Sequence, residues 1–141
     1  MQRWVKRTGV AIHPVWAPGA FGLLALATAL DILSGGHPGA LTWMAFWATV
    51  GGIAAGAWCA TFALLDWVFF AELGDVAVCG LDGFATSIIV GLFGLSALLR
   101  LDAPAHAPPP SAMAIEVAAA GLLGMKAWIG RELGQWLDER R

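Results

Sequence analysis

Three histidines in this chain of 141 residues carry the side chain best suited to hold a metal or a haem iron. A neutral imidazole can bind haem iron, chlorophyll-type magnesium or a transition metal. His13 stands directly before Pro14, whereas His37 and His106 lie in segments rich in glycine or proline. His13 and the nearby Trp16 are therefore the candidate cofactor-binding residues. The alternative is that His13 lies at a membrane interface and bonds to a carbonyl group or water.

A second group of residues that could do chemistry consists of ionisable side chains at or within the ends of apolar stretches. Its members are Asp31, Asp66, Glu116 and Lys126. Charge inside a membrane is costly and indicates function by default. All four residues lie within about two helical turns of a stretch end, where water reaches them, so support for a proton relay is weak. Glu116 and Arg100 fall near the same face and can pair, and Lys126 can extend to the headgroups.

Motifs of enzymes are absent from the sequence. It contains no nucleophile elbow, phosphate-binding loop, dinucleotide fingerprint or HExxH zinc motif. Cys59 and Cys79 lack CxxC spacing and predict neither a disulfide nor a metal site. We therefore expect no catalytic residue, no metal ligand set and no enzymatic activity.

The composition excludes most classes of soluble protein. Hydrophobic residues make up 59% of the chain and charged residues 13%, with a mean hydropathy of +0.73. A small domain keeps much of its surface wet and cannot hide so many apolar side chains. The net charge of −2 provides no basic field for nucleic acid. The sequence predicts a small membrane protein that crosses the bilayer several times.

Breaker residues and charges divide the chain into four apolar stretches. A hydrocarbon core about 30 Å thick needs roughly 20 mostly apolar residues in a helix. We predict spans over about 10–31, 41–66, 82–100 and 111–130, in one domain covering 1–141. Glycine and proline at 34–39, acidic residues in the hairpin between the second and third spans, and a rigid, extended proline loop at 104–110 separate them. The fold class predicted is an all-α integral membrane protein, an antiparallel bundle of four transmembrane helices.

The lysines and arginines predict the orientation of that bundle. Of the eight lysines and arginines, all but one lie in the N-terminal tail or towards the C-terminus. Because cations accumulate on the cytoplasmic side, both termini are predicted to be cytoplasmic, in the inner membrane of a bacterium. Trp43 and Trp47 then lie at the opposite interface, which suits an amphipathic indole ring.

Small residues recur at helical spacing along several spans. Such residues let helix backbones approach closely within lipid. The candidate packing or docking residues are Ala48, Gly52, Gly56, Ala60, Gly91, Gly94 and Gly124. Two interpretations stay open: tight packing within the chain's own bundle, or a docking face for another membrane subunit.

The order of several short motifs resembles a known family. These motifs are His13-Pro14 with Pro18, then Asp31, Ala63-Leu64-Leu65-Asp66-Trp67, Leu98-Leu99-Arg100 and Trp128-Ile129-Gly130-Arg131-Glu132-Leu133. Over nearly its whole length the chain resembles the bacterial membrane proteins of domain of unknown function family 2231. The resemblance implies a four-helix membrane bundle of uncertain activity, whose histidines suggest haem or metal binding. This chain resembles a divergent member, because family members tend to carry histidines where it has Trp16 and Asp82-Gly83-Phe84.

The leading functional hypothesis is a non-catalytic accessory or structural subunit of a larger bacterial membrane complex, with an energy-transducing complex (respiratory or photosynthetic) as the expected host. Its expected partners are membrane lipids and other membrane subunits. No cofactor is expected. A pigment or lipid contact would fall near His13, Trp16 and the pair of Trp43 and Trp47, and a haem contact at His13. Two alternatives stay open: a haem- or metal-binding redox protein that uses His13, and a small transporter that uses Asp31, Asp66 and Glu116.

Overall fold

The structure is a computed structural model that describes the backbone of residues 2–70 and 76–138, and the side chains of 18–62, 65 and 83–132. Within these residues the chain is helical and contains no strand, which confirms the all-α class. The four helices are α1 (Gln2–Ser34), α2 (Ala40–Phe70), α3 (Val76–Leu99) and α4 (Pro110–Asp138). Each predicted span falls within one helix, apart from Arg100, which lies in the turn after α3.

The break between α1 and α2 lies where the glycines predicted it. Gly35 and Gly36 have φ angles of 60° and 75°, a left-handed region that glycine adopts without steric cost. The Gly36 N–H donates to the Ser34 hydroxyl at 3.2 Å. At the start of α2 the Gly39 N–H donates to the Thr42 hydroxyl at 3.0 Å, which satisfies a backbone donor at the helix N-terminus.

The connection between α3 and α4 is extended at Ala107, as its prolines predicted, but not at Pro104–His106. Pro104–His106 forms a 3₁₀ turn in which Ala105 and His106 have φ angles of 51° and 53°. The His106 ring stacks on Phe46 of α2, with ring centroids 4.1 Å apart, and its Nδ1 lies 3.2 Å from the Arg100 carbonyl oxygen. Proline fixes only its own φ and biases the preceding residue, so the residues between the prolines were free to turn.

The helices on either side of the second connection extend beyond the predicted spans. α2 continues past the span 41–66 to Phe70, and α3 begins before the span 82–100, at Val76. Asp66 and Asp82 therefore lie within helices, because a charge can end an apolar stretch without ending a helix. Glu72 and Asp75, two of the acidic residues predicted in the hairpin between the second and third spans, lie outside the described residues.

The helices pack in chain order. α1 packs against α2, α2 against α3 and α3 against α4, and α4 also contacts α1. The short connections after α1 and α3 make each of those pairs antiparallel. An apolar core forms between α1, α3 and α4 from Leu24, Ile89, Phe93, Ala119 and Leu123.

The distribution of polarity is unusual for a water-soluble bundle. Many large apolar side chains are exposed, among them Trp58, which is 62% exposed, and Leu33, which is 74% exposed, whereas Arg100 is fully buried. Two segments, Ala40–Phe62 and Pro104–Glu132, are long and apolar enough to cross a membrane, and Pro18–Ser34 and Gly83–Leu99 are shorter apolar helices. An extensive apolar exterior supports contact with a membrane or with other proteins.

Candidate functional site: a buried ion-pair cluster

Three helices bring charged side chains together at the end of the bundle where the α1–α2 and α3–α4 connections lie. Asp31 stands in the last turn of α1, Arg100 directly after α3 and Glu116 in the second turn of α4. Ser96, one turn before Arg100, adds a hydroxyl group. We refer to Asp31, Ser96, Arg100 and Glu116 as the polar cluster.

One nitrogen of Arg100 holds both carboxylates of the cluster. Its Nη2 donates to Asp31 Oδ2 at 2.6 Å, and it also forms an ion pair with Glu116 Oε1. The Ser96 hydroxyl oxygen lies 2.9 Å from Glu116 Oε1 and 3.3 Å from the Ala112 carbonyl oxygen. A hydroxyl has a single hydrogen to donate, so Ser96 links either to the carboxylate or to the backbone of α4 at one time.

The cluster is closed off from the surroundings. Arg100, Glu116 and Ser96 are fully buried, and Asp31 is 1% exposed. Removing one partner of a buried ion pair costs about 3–5 kcal/mol, because an uncompensated charge stays behind. The position of these three helices at this end of the bundle therefore depends on the cluster remaining complete.

The hydrogen-bonding capacity of the cluster is only partly used. Asp31 Oδ1, Glu116 Oε2 and the Nε and Nη1 atoms of Arg100 are buried without a hydrogen-bond partner among the described residues. The Asp31 and Glu116 carboxyl groups also meet at one atom, Nη2 of Arg100. Two carboxylate oxygens cannot hydrogen-bond to each other unless one of them carries a proton.

One contact of this cluster was predicted from the sequence. The pairing of Arg100 with Glu116 is confirmed. That Asp31 shares the same nitrogen was not predicted, although it ends the first span on the side where Arg100 ends the third. Ser96 was also missed, and its signal was its spacing, four residues before Arg100 on the same helical face. The side chain of Asp66 lies outside the described residues.

The Lys126 side chain points into the bundle. The sequence had predicted instead that it would extend to the headgroups. Its ammonium group contacts the Thr86 hydroxyl and lies 4.9 Å from the centre of the Phe21 ring. A hydroxyl acceptor and the negative face of an aromatic ring both favour a cation. The helical stretch that carries Lys126 thus turns its charge towards α1 and α3.

The predicted cofactor-binding residues, His13 and Trp16, lie in α1, but their side chains are outside the described ones. Their role stays a prediction. The other two histidines contact backbone carbonyls, His37 at Ser34 and His106 at Arg100, both at 3.2 Å. Among the described residues, no three His, Cys, Asp or Glu side chains form a group that could hold a metal ion.

The small residues of the sequence fall into two sets. Gly52, Gly56 and Ala60 are buried and Ala48 is half-buried. A Cβ atom at Gly52 would lie 2.5 Å from Leu24 Cδ2, and one at Gly56 would lie 2.7 Å from Val90 Cγ2. These two glycines therefore allow α2 to approach α1 and α3.

The second set faces open space. A Cβ atom at Gly91, Gly94 or Gly124 would meet none of the described residues within 4 Å. Gly91 and Gly94 line a groove of about 560 Å³ between α2 and α3, whose other walls are apolar side chains such as Phe46, Ile53 and Leu98. We refer to it as the α2–α3 groove.

Comparison of the chain with protein-family models, with curated proteins and with solved structures found no match. The polar cluster and the α2–α3 groove are thus the features from which a function is inferred.

Proposed function

We propose that this protein crosses the bacterial inner membrane four times, with both termini in the cytoplasm, and serves as a non-catalytic accessory subunit of a larger membrane complex. As part of this proposal, the chain is a divergent member of domain of unknown function family 2231. The host complex is proposed to be energy-transducing, either respiratory or photosynthetic.

The four-span arrangement is supported by helix length and by the inverted polarity. Even the helices with the shorter apolar segments, α1 and α3, have 33 and 24 residues, and a membrane crossing needs roughly 20. The charges of the polar cluster are buried, whereas exposed side chains on all four helices include large apolar ones. Lipid solvates such an exterior, and water does not.

The observation that carries the accessory role is the α2–α3 groove. Helices associate in lipid through close backbone approach, for which glycine leaves room. Gly91 and Gly94 do not serve this purpose within the chain, since a Cβ atom at either would meet nothing within 4 Å. The residues that line the α2–α3 groove are apolar, so a partner would bind there through complementary shape and not through charge. A transmembrane helix of a partner subunit is the occupant that fits.

The experiment is solubilisation of native membranes in mild detergent, followed by size separation with an absorption scan of each fraction. We expect the wild-type protein to elute in a large complex, whose other subunits identify the host. Gly94→Leu fills the groove and should release the protein as a small species with an unchanged melting temperature. Gly121→Leu is the matched control, because Gly121 is exposed on α4 and equally open.

Two outcomes would contradict this proposal. If Gly94→Leu stayed in the complex, the groove would not be the docking surface. If the wild-type protein eluted alone with a visible absorption band that His13→Ala removed, the redox alternative would replace the accessory role.

A small transporter is the second candidate function, because two of its three predicted carboxylates, Asp31 and Glu116, meet at one buried cation. Buried ionisable groups in membranes mark ion pathways. Proteoliposomes containing the wild type and Asp31→Asn test it. Flux that does not change on this substitution would remove the candidate.

A further inference from the structure

The polar cluster does not balance its own charge. With every group ionised, the Asp31 and Glu116 carboxylates face a single guanidinium, which leaves one net negative charge. Each of these side chains is at most 1% exposed. An uncompensated charge in such a place is so unfavourable that the group neutralises instead.

The geometry also places the two carboxyl groups against each other. Asp31 Oδ2 and Glu116 Oε1 bind the same Nη2 atom of Arg100, so these oxygens lie within about 6 Å of each other, twice an ordinary hydrogen-bond length. Asp31 Oδ1 and Glu116 Oε2 are both buried without a hydrogen-bond partner among the described residues. Burial and the neighbouring like charge both disfavour ionisation of the second carboxyl group, which favours one proton shared by the pair.

We propose that the polar cluster is a binding site for one proton, held in a hydrogen bond between the Asp31 and Glu116 carboxyl groups. The proton comes from solvent and adds to one carboxylate oxygen, so no electron is transferred and no other bond is broken. The proton-bound cluster is electrically neutral and pairs one carboxylate with Arg100. This inference goes beyond the accessory role and does not depend on it.

A monovalent metal cation would balance the same charge, but the site disfavours it. The Nε and Nη1 atoms of Arg100 carry N–H groups that have no partner among the described residues. These donors present positive charge to any ion placed among the cluster's free oxygens. A proton does not have to be placed among these donors as a separate ion, because it becomes part of a carboxyl group.

Few other charged groups face the cluster from the elements around it. Residues 40–65 of α2 contain no charged side chain and no histidine. The connections contain two histidines and Asp102. His106 bonds to the Arg100 carbonyl oxygen and His37 to the Ser34 carbonyl oxygen. Asp102 is exposed. On α4, Lys126 lies ten residues beyond Glu116, about 15 Å along the helix. Arg100 is therefore the charge that dominates the site.

Bound protons make the folding equilibrium depend on pH in a known direction. Above about pH 5 the carboxyl groups of an unfolded chain are ionised, whereas the folded cluster still holds its proton. Because the folded state binds one more proton than the unfolded state, stability falls as pH rises. The unfolding constant should rise about tenfold for each pH unit until the folded cluster loses its proton.

Infrared spectroscopy of the full-length protein in lipid nanodiscs at neutral pH tests the proposal directly. A protonated carboxyl group has a C=O stretching band separate from that of a carboxylate, and the band shifts in heavy water. We expect this band in the wild type and in the control Glu132→Gln, since Glu132 is exposed on the same helix. Glu116→Gln and Asp31→Asn should each remove it, because the remaining carboxylate then pairs with Arg100 alone. No such band in the wild type, or a band that survives both substitutions, would overturn the proposal.

Unfolding of the wild type in a denaturing detergent between pH 6 and 8 gives a test that needs no variant to fold. We expect the unfolding constant to rise about tenfold per pH unit. At fixed pH and ionic strength it should not depend on the sodium concentration. A stability independent of pH would overturn the proposal. A stability that rose with sodium concentration at fixed pH would also overturn the proposal, and would indicate a cation site instead.

Discussion

Two sets of glycines in this molecule have the same chemistry and similar spacing but opposite surroundings. Gly52 and Gly56 of α2 are buried, and neighbouring side chains fill the space that a Cβ atom would need. Gly91 and Gly94 of α3, together with Gly124 of α4, face nothing within 4 Å of such an atom. The first set serves the chain's own packing, and the second set is open to contact from outside it.

The difference teaches what small-residue spacing does and does not predict. It shows that a backbone can be approached, because no side chain stands in the way. It does not show which helix approaches. At Gly52 the approaching residue is Leu24, which is fully buried and whose backbone nitrogen would lie 3.3 Å from an added Cβ atom. At Gly94 no described residue comes within 4 Å of such an atom.

The largest expected effect is at Gly52. Gly52→Ala places a methyl group about where Leu24 already lies, 2.5 Å from its Cδ2 and 3.3 Å from its backbone nitrogen. We expect a loss of about 2–3 kcal/mol in the free energy of unfolding, the cost of overpacking a rigid site. Equilibrium unfolding in detergent measures it. Gly51→Ala is the control, because the nearest atom there, Leu23 Cδ1, is 3.7 Å away; equal losses at both positions would contradict the assignment.

A smaller loss is expected at Gly56. Its added Cβ would meet a single atom, Val90 Cγ2, at 2.7 Å, and Val90 is only half-buried. Gly56→Ala should therefore cost about 1 kcal/mol. In the Val90→Ala background the same substitution should cost nothing, and a double-mutant cycle isolates this coupling. Additive effects would show that the two residues do not touch.

The smallest effect has the opposite sign. Gly91→Ala and Gly94→Ala should stabilise the isolated protein by about 0.5–1 kcal/mol, because alanine loses less conformational entropy in a helix and meets no obstacle here. Thermal unfolding of the purified protein measures the gain. A loss of stability would mean that α2 closes the groove in solution.

Much of the helical architecture could be predicted from the sequence. Long apolar stretches without charges indicate helices, and Gly35 and Gly36 break the first of them because they adopt positive φ angles. The turn at Ala105 and His106 could not be predicted, since alanine does not favour a left-handed backbone. It depends on contacts between elements, including the stacking of His106 on Phe46.

The polar cluster was predictable only where its members are close in the chain. Arg100 and Glu116 flank one connection, so their meeting follows from the order of the spans. Asp31 reaches Arg100 across the bundle, and Lys126 turns inward to Thr86. Both contacts depend on how the helices rotate about their axes, which the sequence pattern leaves undetermined.

The separation of Asp31 from its cation also has a consequence for biosynthesis. The two residues are 69 positions apart, so the ribosome makes Asp31 and the whole of α2 before it makes Arg100. A nascent chain that stops after α2 therefore carries the Asp31 carboxylate without its cation. Arg100 and Glu116 lie on either side of one short connection and are made close together in time. The contact between Asp31 and Arg100 forms only once α3 is complete, and truncated chains that end after α2 should be prime substrates for quality-control proteases.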